Sequence, residues 1–213
     1  MKQHNRRILW TALALLAAFA LWTAAVGRMD VRPMGPQGTA VGFAALNGWS
    51  HNLTGVHMWL YTLTDWLSLI PLGVAVGFAA LGLAQWIRRK HVLRVDRSIL
   101  VLGGFYAAVL AVYLLFERCA VNYRPVLIEG VLEASYPSST TVLVMFILPT
   151  AVMQWKTRIK NEQLRRRISF AGTVFAAGMV IGRLVSGVHW LTDIVGGALL
   201  STGLVLLYAF FAE

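Results

Sequence analysis

Residues 98–116 read SILVLGGFYAAVLAVYLLF, an apolar run without a single charged side chain. Five further segments are almost as apolar. As helices, the uncharged runs at about 8–26, 66–87, 98–116, 141–155, 168–182 and 194–212 span about 22 to 33 Å, close to the thickness of the hydrocarbon core of a bilayer. No segment alternates as a membrane strand does, and lipid otherwise tolerates only helices. The sequence therefore predicts an all-α polytopic membrane protein, one domain over 1–213, with six transmembrane helices at about 8–26, 62–87, 98–116, 139–155, 168–185 and 194–212.

Composition supports a membrane protein. Of the 213 residues, 58% are hydrophobic and 13% are charged, whereas soluble domains carry roughly 25% charged residues. A soluble protein this apolar lacks the polar groups to cover its surface. The length suits one domain, and the single cysteine, Cys119, excludes an intrachain disulfide.

The net charge of +10 raises the possibility of a nucleic-acid ligand. The distribution of the basic residues argues instead for cytoplasmic loops, as the positive-inside rule requires. We therefore predict no nucleic-acid partner, cytoplasmic N- and C-termini, and a bacterial plasma membrane as the location. Fourteen of the 19 basic residues lie on the predicted inner side: Lys2, Arg6, Arg7, Arg88, Arg89, Lys90, Arg94, Arg97, Lys156, Arg158, Lys160, Arg165, Arg166 and Arg167.

The first predicted helix has a basic start and small residues near its end, so a cleaved signal peptide is an alternative. Its apolar stretch is longer than the usual signal core, which favours a retained helix. Residues 29–61 then form a short external segment. Its aromatic residues, among them Trp49 and Trp59, are typical of the membrane interface.

The last two predicted helices are joined by the segment GRLVSGVHWLTD, residues 182–193. On a helix, His189 and Asp193 share a face and can form a hydrogen bond. A carboxylate on one imidazole nitrogen leaves the other free to act as a nucleophile or base. Gly187 permits a chain reversal, so that Arg183 ends one helix while His189 opens the next. The alternative is a structural pair without catalytic use.

The loop between the third and fourth predicted helices begins ERCAVNYRP, residues 117–125, and ends YPSSTT, residues 136–141. A proline followed by hydroxylated residues before an apolar run indicates a helix start. Free N–H groups there can bind a phosphate, and Ser138 and Ser139 can add donors. Plain N-capping is the competing interpretation.

These residues resemble three motifs of the type 2 phosphatidic acid phosphatase superfamily of membrane lipid phosphatases: Lys-x6-Arg-Pro, Pro-Ser-Gly-His and Ser-Arg-x5-His-x3-Asp. The first motif ends correctly with Arg124-Pro125. The second begins correctly with Pro137-Ser138. The third is nearly complete through Arg183, His189 and Asp193.

The resemblance implies that His189 is the nucleophile that takes the phosphoryl group, oriented by Asp193. The distribution of basic residues places this site on the outer side. The resemblance implies a phosphate clamp of Arg124, Arg183, Ser138 and Ser139. It also implies no metal and no cofactor, with a membrane lipid phosphate as the partner. The oligomeric state is not indicated by the sequence.

Two of the departures from the motifs matter most. Glu117 stands where the family has lysine, and Thr140 stands where it has the histidine that protonates the leaving oxygen. Losing a general acid costs roughly 10²–10⁴ in rate. Three readings follow: a phosphatase for lipid diphosphates, an enzyme with a substitute acid (Glu117, His51 or His57), or a weak or silent relative that binds lipid phosphate.

The diphosphate reading is preferred, since a phosphate leaving group needs little protonation, and a polyprenyl diphosphate such as undecaprenyl diphosphate fits it. Phosphatidate and phosphatidylglycerol phosphate remain open. Outside phosphate hydrolysis, the rivals are a lipid phosphotransferase and a small transporter. A transporter is disfavoured because Asp65 is the only other charged candidate near a span.

Overall fold

The computed structural model describes residues 2–212, and side chains from Gln3 to Ala212. The predicted domain ends Met1 and Glu213, and the predicted cytoplasmic side chain of Lys2, lie outside the described residues. The described chain folds mainly into α-helices: α1 Lys2–Val26, α2 Ala44–Thr54, α3 Met58–Leu67, α4 Leu69–Arg89, α5 Arg97–Arg118, α6 Ser139–Arg158, α7 Glu162–Val185 and α8 Leu191–Ala212.

The segment between α1 and α3 has structure of its own. Two short antiparallel strands, β1 Arg32–Pro33 and β2 Ala40–Val41, flank a 3-10 turn at Pro36–Gly38. They correct the expectation of a strand-free chain. The helix α2 follows them, and α3 begins at Met58, inside the segment predicted to be external.

One predicted helix, 62–87, is two helices in the structure. The break between α3 and α4 falls at Ser68. Pro71 has no N–H to donate to the carbonyl of Leu67, so the regular helical bond is missing at that turn. The hydroxyl of Ser68 donates instead to the carbonyl of Asp65. As a result, α3 can follow a direction different from that of α4.

Five segments of the described chain are long and apolar enough to cross a membrane: Gln3–Val26, Met58–Arg89, Arg97–Arg118, Glu162–Val185 and Leu191–Ala212. The helix α6 falls outside this set. It carries polar side chains such as Thr140, Thr150 and Gln154, all of them buried. A helix that faces protein on most sides needs less apolar surface than one that faces lipid. The chain is thus a multi-pass helical membrane protein.

The helix α6 lies at the centre of the bundle. It packs against α4, α5, α7 and α8, while α1 lies along α8. Phe146 and Ile147 of α6 meet Leu102 of α5 and Tyr208 of α8 in the main buried cluster. Large apolar side chains on the outer faces of α1, α4, α5 and α7 stay exposed, as expected of surfaces that contact lipid.

The two ends of the bundle differ in chemistry. At one end the basic loops meet, and Arg89 and Arg158 both pair with Asp96. At the other end, the segments 27–57, 119–138 and 186–190 contact one another. The candidate functional residues lie at this second end.

Candidate active site

A cavity of about 540 Å³ opens at this second end of the bundle. One part of its wall is apolar and is formed by side chains of α4, α5 and α6, including Leu72, Leu110 and Phe146. The other part is polar and charged, and it holds most of the residues that the sequence singled out: Asp65, Glu117, Arg124, Ser139, Thr140, Arg183 and His189.

His189 lies in the short loop between α7 and α8, two residues before α8 begins. The expectation that His189 opens the helix and shares a helical face with Asp193 is therefore wrong. The chain turns at Gly187, whose φ of +69° favours glycine. A Cβ there would also overlap the carbonyl oxygen of Gly55. The turn still brings Nδ1 of His189 to 3.5 Å from Oδ2 of Asp193.

The second ring nitrogen of His189, Nε2, lies 3.2 Å from Nη1 of Arg124. Guanidinium nitrogens donate and do not accept hydrogen bonds. We therefore assign the neutral tautomer with the proton on Nδ1, toward Asp193, and the lone pair on Nε2, toward Arg124. The lone pair thus lies on the nitrogen that faces Arg124.

Burial is the main cause that holds the pKa of His189 well below its usual value of 6.5. The positive charges of Arg124 and then Arg183 add to this effect, because they disfavour a second cation beside them. A neutral imidazole is the form that can act as a nucleophile.

The side chain of Asp193 contacts both the start of α8 and His189. Its Oδ2 accepts a hydrogen bond from the backbone N–H of Trp190, 2.9 Å away. This contact caps the helix, because one of its first free N–H groups gains an acceptor. Asp193 is completely buried, so its orientation relative to His189 is set by the helix start.

Arg183 is the most enclosed of the cationic groups, with 2% of its side chain exposed. Its Nε donates to Oγ1 of Thr140 at 2.9 Å, and its Nη2 contacts Oδ1 of Asp65 at 3.2 Å. Its Nη1 donates to the hydroxyl of Thr64 and to the carbonyl of Tyr61. Residues 61, 64 and 65 lie on one face of α3, so α3 holds this guanidinium in place.

Arg124 approaches His189 from the loop after α5. Its Nε lies 2.9 Å from a carboxylate oxygen of Glu133, and its backbone N–H donates to the carbonyl of Glu133. The ring of Tyr61 lies close to both cationic groups, 5.8 Å from Cζ of Arg124 and 4.8 Å from Cζ of Arg183. Both arginines and His189 therefore line one cavity.

The two predicted serines have different places. Ser138 is the N-cap of α6, and its hydroxyl accepts from the N–H and the hydroxyl of Thr141. The N-capping interpretation is thus confirmed for Ser138, which is fully buried and does not line the cavity. Ser139 and Thr140, in the first turn of α6, do line it.

Glu117, which stands where the resembled motif has lysine, also lines the cavity, at the end of α5. The two histidines considered as substitute acids do not. The ring of His51 packs against Trp190, with 5.5 Å between ring centroids. His57 is exposed and its Nε2 bonds the carbonyl of Thr54.

Sequence reasoning assigned no role in this site to three residues that hold it. Asp65 and Tyr61 contact Arg183, and Asn47 of α2 bonds Thr192 at the start of α8. A charged residue near an apolar span was the one available signal, and it pointed to Asp65. Across residues 2–212 there is no group of three or more histidine, cysteine or acidic side chains placed to hold a metal ion.

Comparison with known proteins supports the fold and the family resemblance. A solved structure of a transmembrane PAP2-type phosphatidylglycerolphosphate phosphatase from Bacillus subtilis superposes with a TM-score of 0.66, over 94% of each chain, at 15% identity. No curated protein matches the sequence. The PAP2 superfamily profile matches residues 120–212, which contain Arg124, Arg183, His189 and Asp193. Residues 120–212 therefore match the PAP2 superfamily, in agreement with the resemblance that the sequence motifs predicted.

Proposed function

We propose that this protein is a membrane lipid phosphatase that transfers the phosphoryl group of a lipid phosphate to His189 and then to water. One observation carries the proposal. His189, Arg124 and Arg183 line the same cavity as an apolar wall of α4, α5 and α6, and Nε2 of His189 faces Arg124. A phosphate bound at the polar side would place its lipid chain along that wall.

In the first step, Nε2 of His189 attacks phosphorus, and the bond from phosphorus to the leaving oxygen breaks. The leaving group departs with the electron pair of that bond. The proton on Nδ1 stays beside Asp193, which stabilises the positive charge that the ring acquires. Arg124 and Arg183 neutralise the charge that develops on the transferring group. Water then attacks the phosphohistidine, and inorganic phosphate leaves.

The leaving group decides which lipids react fastest. An alkoxide leaves a monoester slowly unless an acid protonates it, and Thr140 occupies the position of the family's histidine acid. The leaving group of a lipid diphosphate is the lipid monophosphate, which is already stable as an anion. We therefore propose lipid diphosphates, and polyprenyl diphosphates among them, as the preferred substrates.

The bundle supports a topology for this reaction. The cavity opens at the end opposite to the basic loops, and basic loops favour the cytoplasmic side. We propose that the site faces the outer side of the plasma membrane. In this arrangement α6 is the sixth crossing, shielded from lipid by its neighbours.

The test is phosphate release by the detergent-purified protein from lipid monophosphates and diphosphates of matched chain length. We expect diphosphates to react faster, and His189→Ala to lower the rate by about 10³-fold or more. His57→Ala, which alters a histidine outside the cavity, should keep the wild-type rate. An acid-labile phosphoprotein should form from labelled substrate in wild type and be absent in His189→Ala.

Two results would contradict the proposal. One is a His189→Ala variant that hydrolyses lipid phosphates at the wild-type rate. The other is wild-type protein that releases no phosphate from any lipid phosphate while still binding it, which is the behaviour of a silent relative. Transfer of the label to an added alcohol in preference to water would identify a phosphotransferase.

A further inference from the structure

The chain itself already uses most of the hydrogen-bonding capacity of Arg183. A guanidinium has five N–H donors. Four hydrogen bonds go to the chain, to the hydroxyls of Thr140 and Thr64, the carbonyl of Tyr61 and the carboxylate of Asp65. At most one N–H remains for a phosphate, although Arg183 binds the substrate phosphate in the proposed function.

The contact with Asp65 differs from the other three. The Nε and Nη2 atoms of a guanidinium share one edge, and such an edge binds a carboxylate or a phosphate with two parallel hydrogen bonds. In this protein Thr140 occupies Nε and Asp65 occupies Nη2. Both residues line the cavity, so this edge faces the space in which the substrate phosphate would bind.

Exposure shows which partner can move. The side chain of Asp65 is 58% exposed, whereas that of Arg183 is 2% exposed. A carboxylate this exposed can turn away from Arg183 at little cost, since exposed ion pairs contribute little to stability. Arg183 keeps three other bonds and the ring of Tyr61 if Asp65 turns away.

We propose that Asp65 competes with the substrate phosphate for Nη2 of Arg183, so that binding displaces its carboxylate. Asp65 is then a specificity-determining residue, because it sets the affinity of the site for anions. This inference rests on the proposed function, in which Arg183 binds the phosphate. An anion must outcompete a carboxylate that the chain holds next to the same guanidinium.

Glu133 provides the contrast. It pairs with Nε of Arg124, as Asp65 pairs with Arg183, but it does not line the cavity. Its backbone carbonyl also accepts the N–H of Arg124. Glu133 therefore holds Arg124 from outside the cavity and is a positioning residue. Removing the two carboxylates should change anion affinity in opposite directions.

The experiment measures binding of inorganic phosphate and of tungstate to the purified full chain by calorimetry. Asp65→Asn keeps the size of the side chain and removes its charge. We expect it to bind both anions about 3- to 10-fold more tightly, from the loss of a competing ion pair. Glu133→Gln should bind them more weakly. Glu129→Gln, which removes an exposed charge of the same loop outside the cavity, should match wild type.

Each result has a defined consequence. If Asp65→Asn binds the anions as wild type does, or more weakly, the competition is contradicted, and thermal unfolding of the same sample shows that the variant is folded. Asp65→Ala provides a second variant for the same comparison. If wild type hydrolyses lipid phosphates through His189 but Asp65→Asn does not bind the anions more tightly, the competition is contradicted while the proposed function stands. If wild type neither binds these anions nor hydrolyses lipids, both fail.

Discussion

The hydroxyl of Thr140 accepts a hydrogen bond from Nε of Arg183 at the position where the resembled motif has a histidine. A hydroxyl of ordinary acidity is a poor proton donor to an alkoxide. At this position the chain therefore has a hydrogen-bond acceptor for Arg183 where the resembled motif has a general acid. Thr140 lines the cavity beside Ser139. A side chain introduced there would therefore meet the substrate.

At the residue scale, Thr140→His should raise hydrolysis of lipid monophosphates by about 10²-fold, because a positioned acid then protonates the alkoxide. Diphosphate hydrolysis should change much less, since its leaving group needs little protonation. Steady-state rates on the two substrate classes measure the effect. Thr140→Val is the control, since it removes the hydroxyl without adding an acid. Equal losses on both classes would mean that position 140 cannot host an acid.

The depressed pKa of His189 leads to a second expectation. The reactive form is the neutral ring, and a lower pKa keeps it neutral at more acidic pH. The acidic limb of kcat/KM reports the pKa of the unbound enzyme. It should therefore fall below pH 6.5, the usual value, when diphosphate hydrolysis is followed from pH 4.5 to 8. A limb at or above 6.5 would contradict a neutral His189.

At the element scale, α2 packs against the start of α8. Its inward face carries Asn47, whose Oδ1 accepts from the N–H of Thr192 and whose Nδ2 donates to the hydroxyl of Thr192. Its outward face is apolar, with Trp49 62% exposed and Leu53 73% exposed. A helix with polar residues toward protein and apolar residues outward is suited to the lipid interface.

Asn47→Ala should lower both stability and phosphatase rate. It leaves the N–H of Thr192 without its acceptor in a buried place, at a cost of about 1–3 kcal/mol. The start of α8 carries Asp193, so the orientation of His189 should loosen as well. Thermal unfolding and kcat measure the two effects. Asn52→Ala, on an exposed position of the same helix, should behave as wild type. Equal effects of the two substitutions would exclude a specific role for the contact with Thr192.

At the scale of the whole molecule, the two ends of the bundle separate basic loops from the site. Cys119 is exposed and follows α5 at the end that holds the site. It is the sole cysteine of the chain, so it reports the orientation of that end without mutation.

In intact cells, a membrane-impermeant maleimide should label Cys119, because the proposed topology places this end outside. In Cys119→Ser combined with Lys160→Cys, labelling should require permeabilised cells, since residue 160 lies between α6 and α7 among the basic residues. Mass-tag gel shifts measure both. The reverse pattern would place the site on the cytoplasmic side.

The sequence alone determined the membrane class and named candidate site residues, and the family resemblance is confirmed. These features are local. Apolar runs, basic loops and motif spacings are properties of neighbouring residues, so Arg124, Arg183 and His189 could be identified without coordinates. The orientation, the substrate and the roles of these residues stay predictions.

Only the tertiary structure decided which groups meet. It placed His189 in a loop, made Ser138 a cap, and divided the second span at Ser68. It joined Asp65 to Arg183 across 118 positions and Asn47 to Thr192 across 145. Helical periodicity relates side chains only a few positions apart. Contacts between distant segments depend on how the helices pack, and no local pattern of residues records that packing.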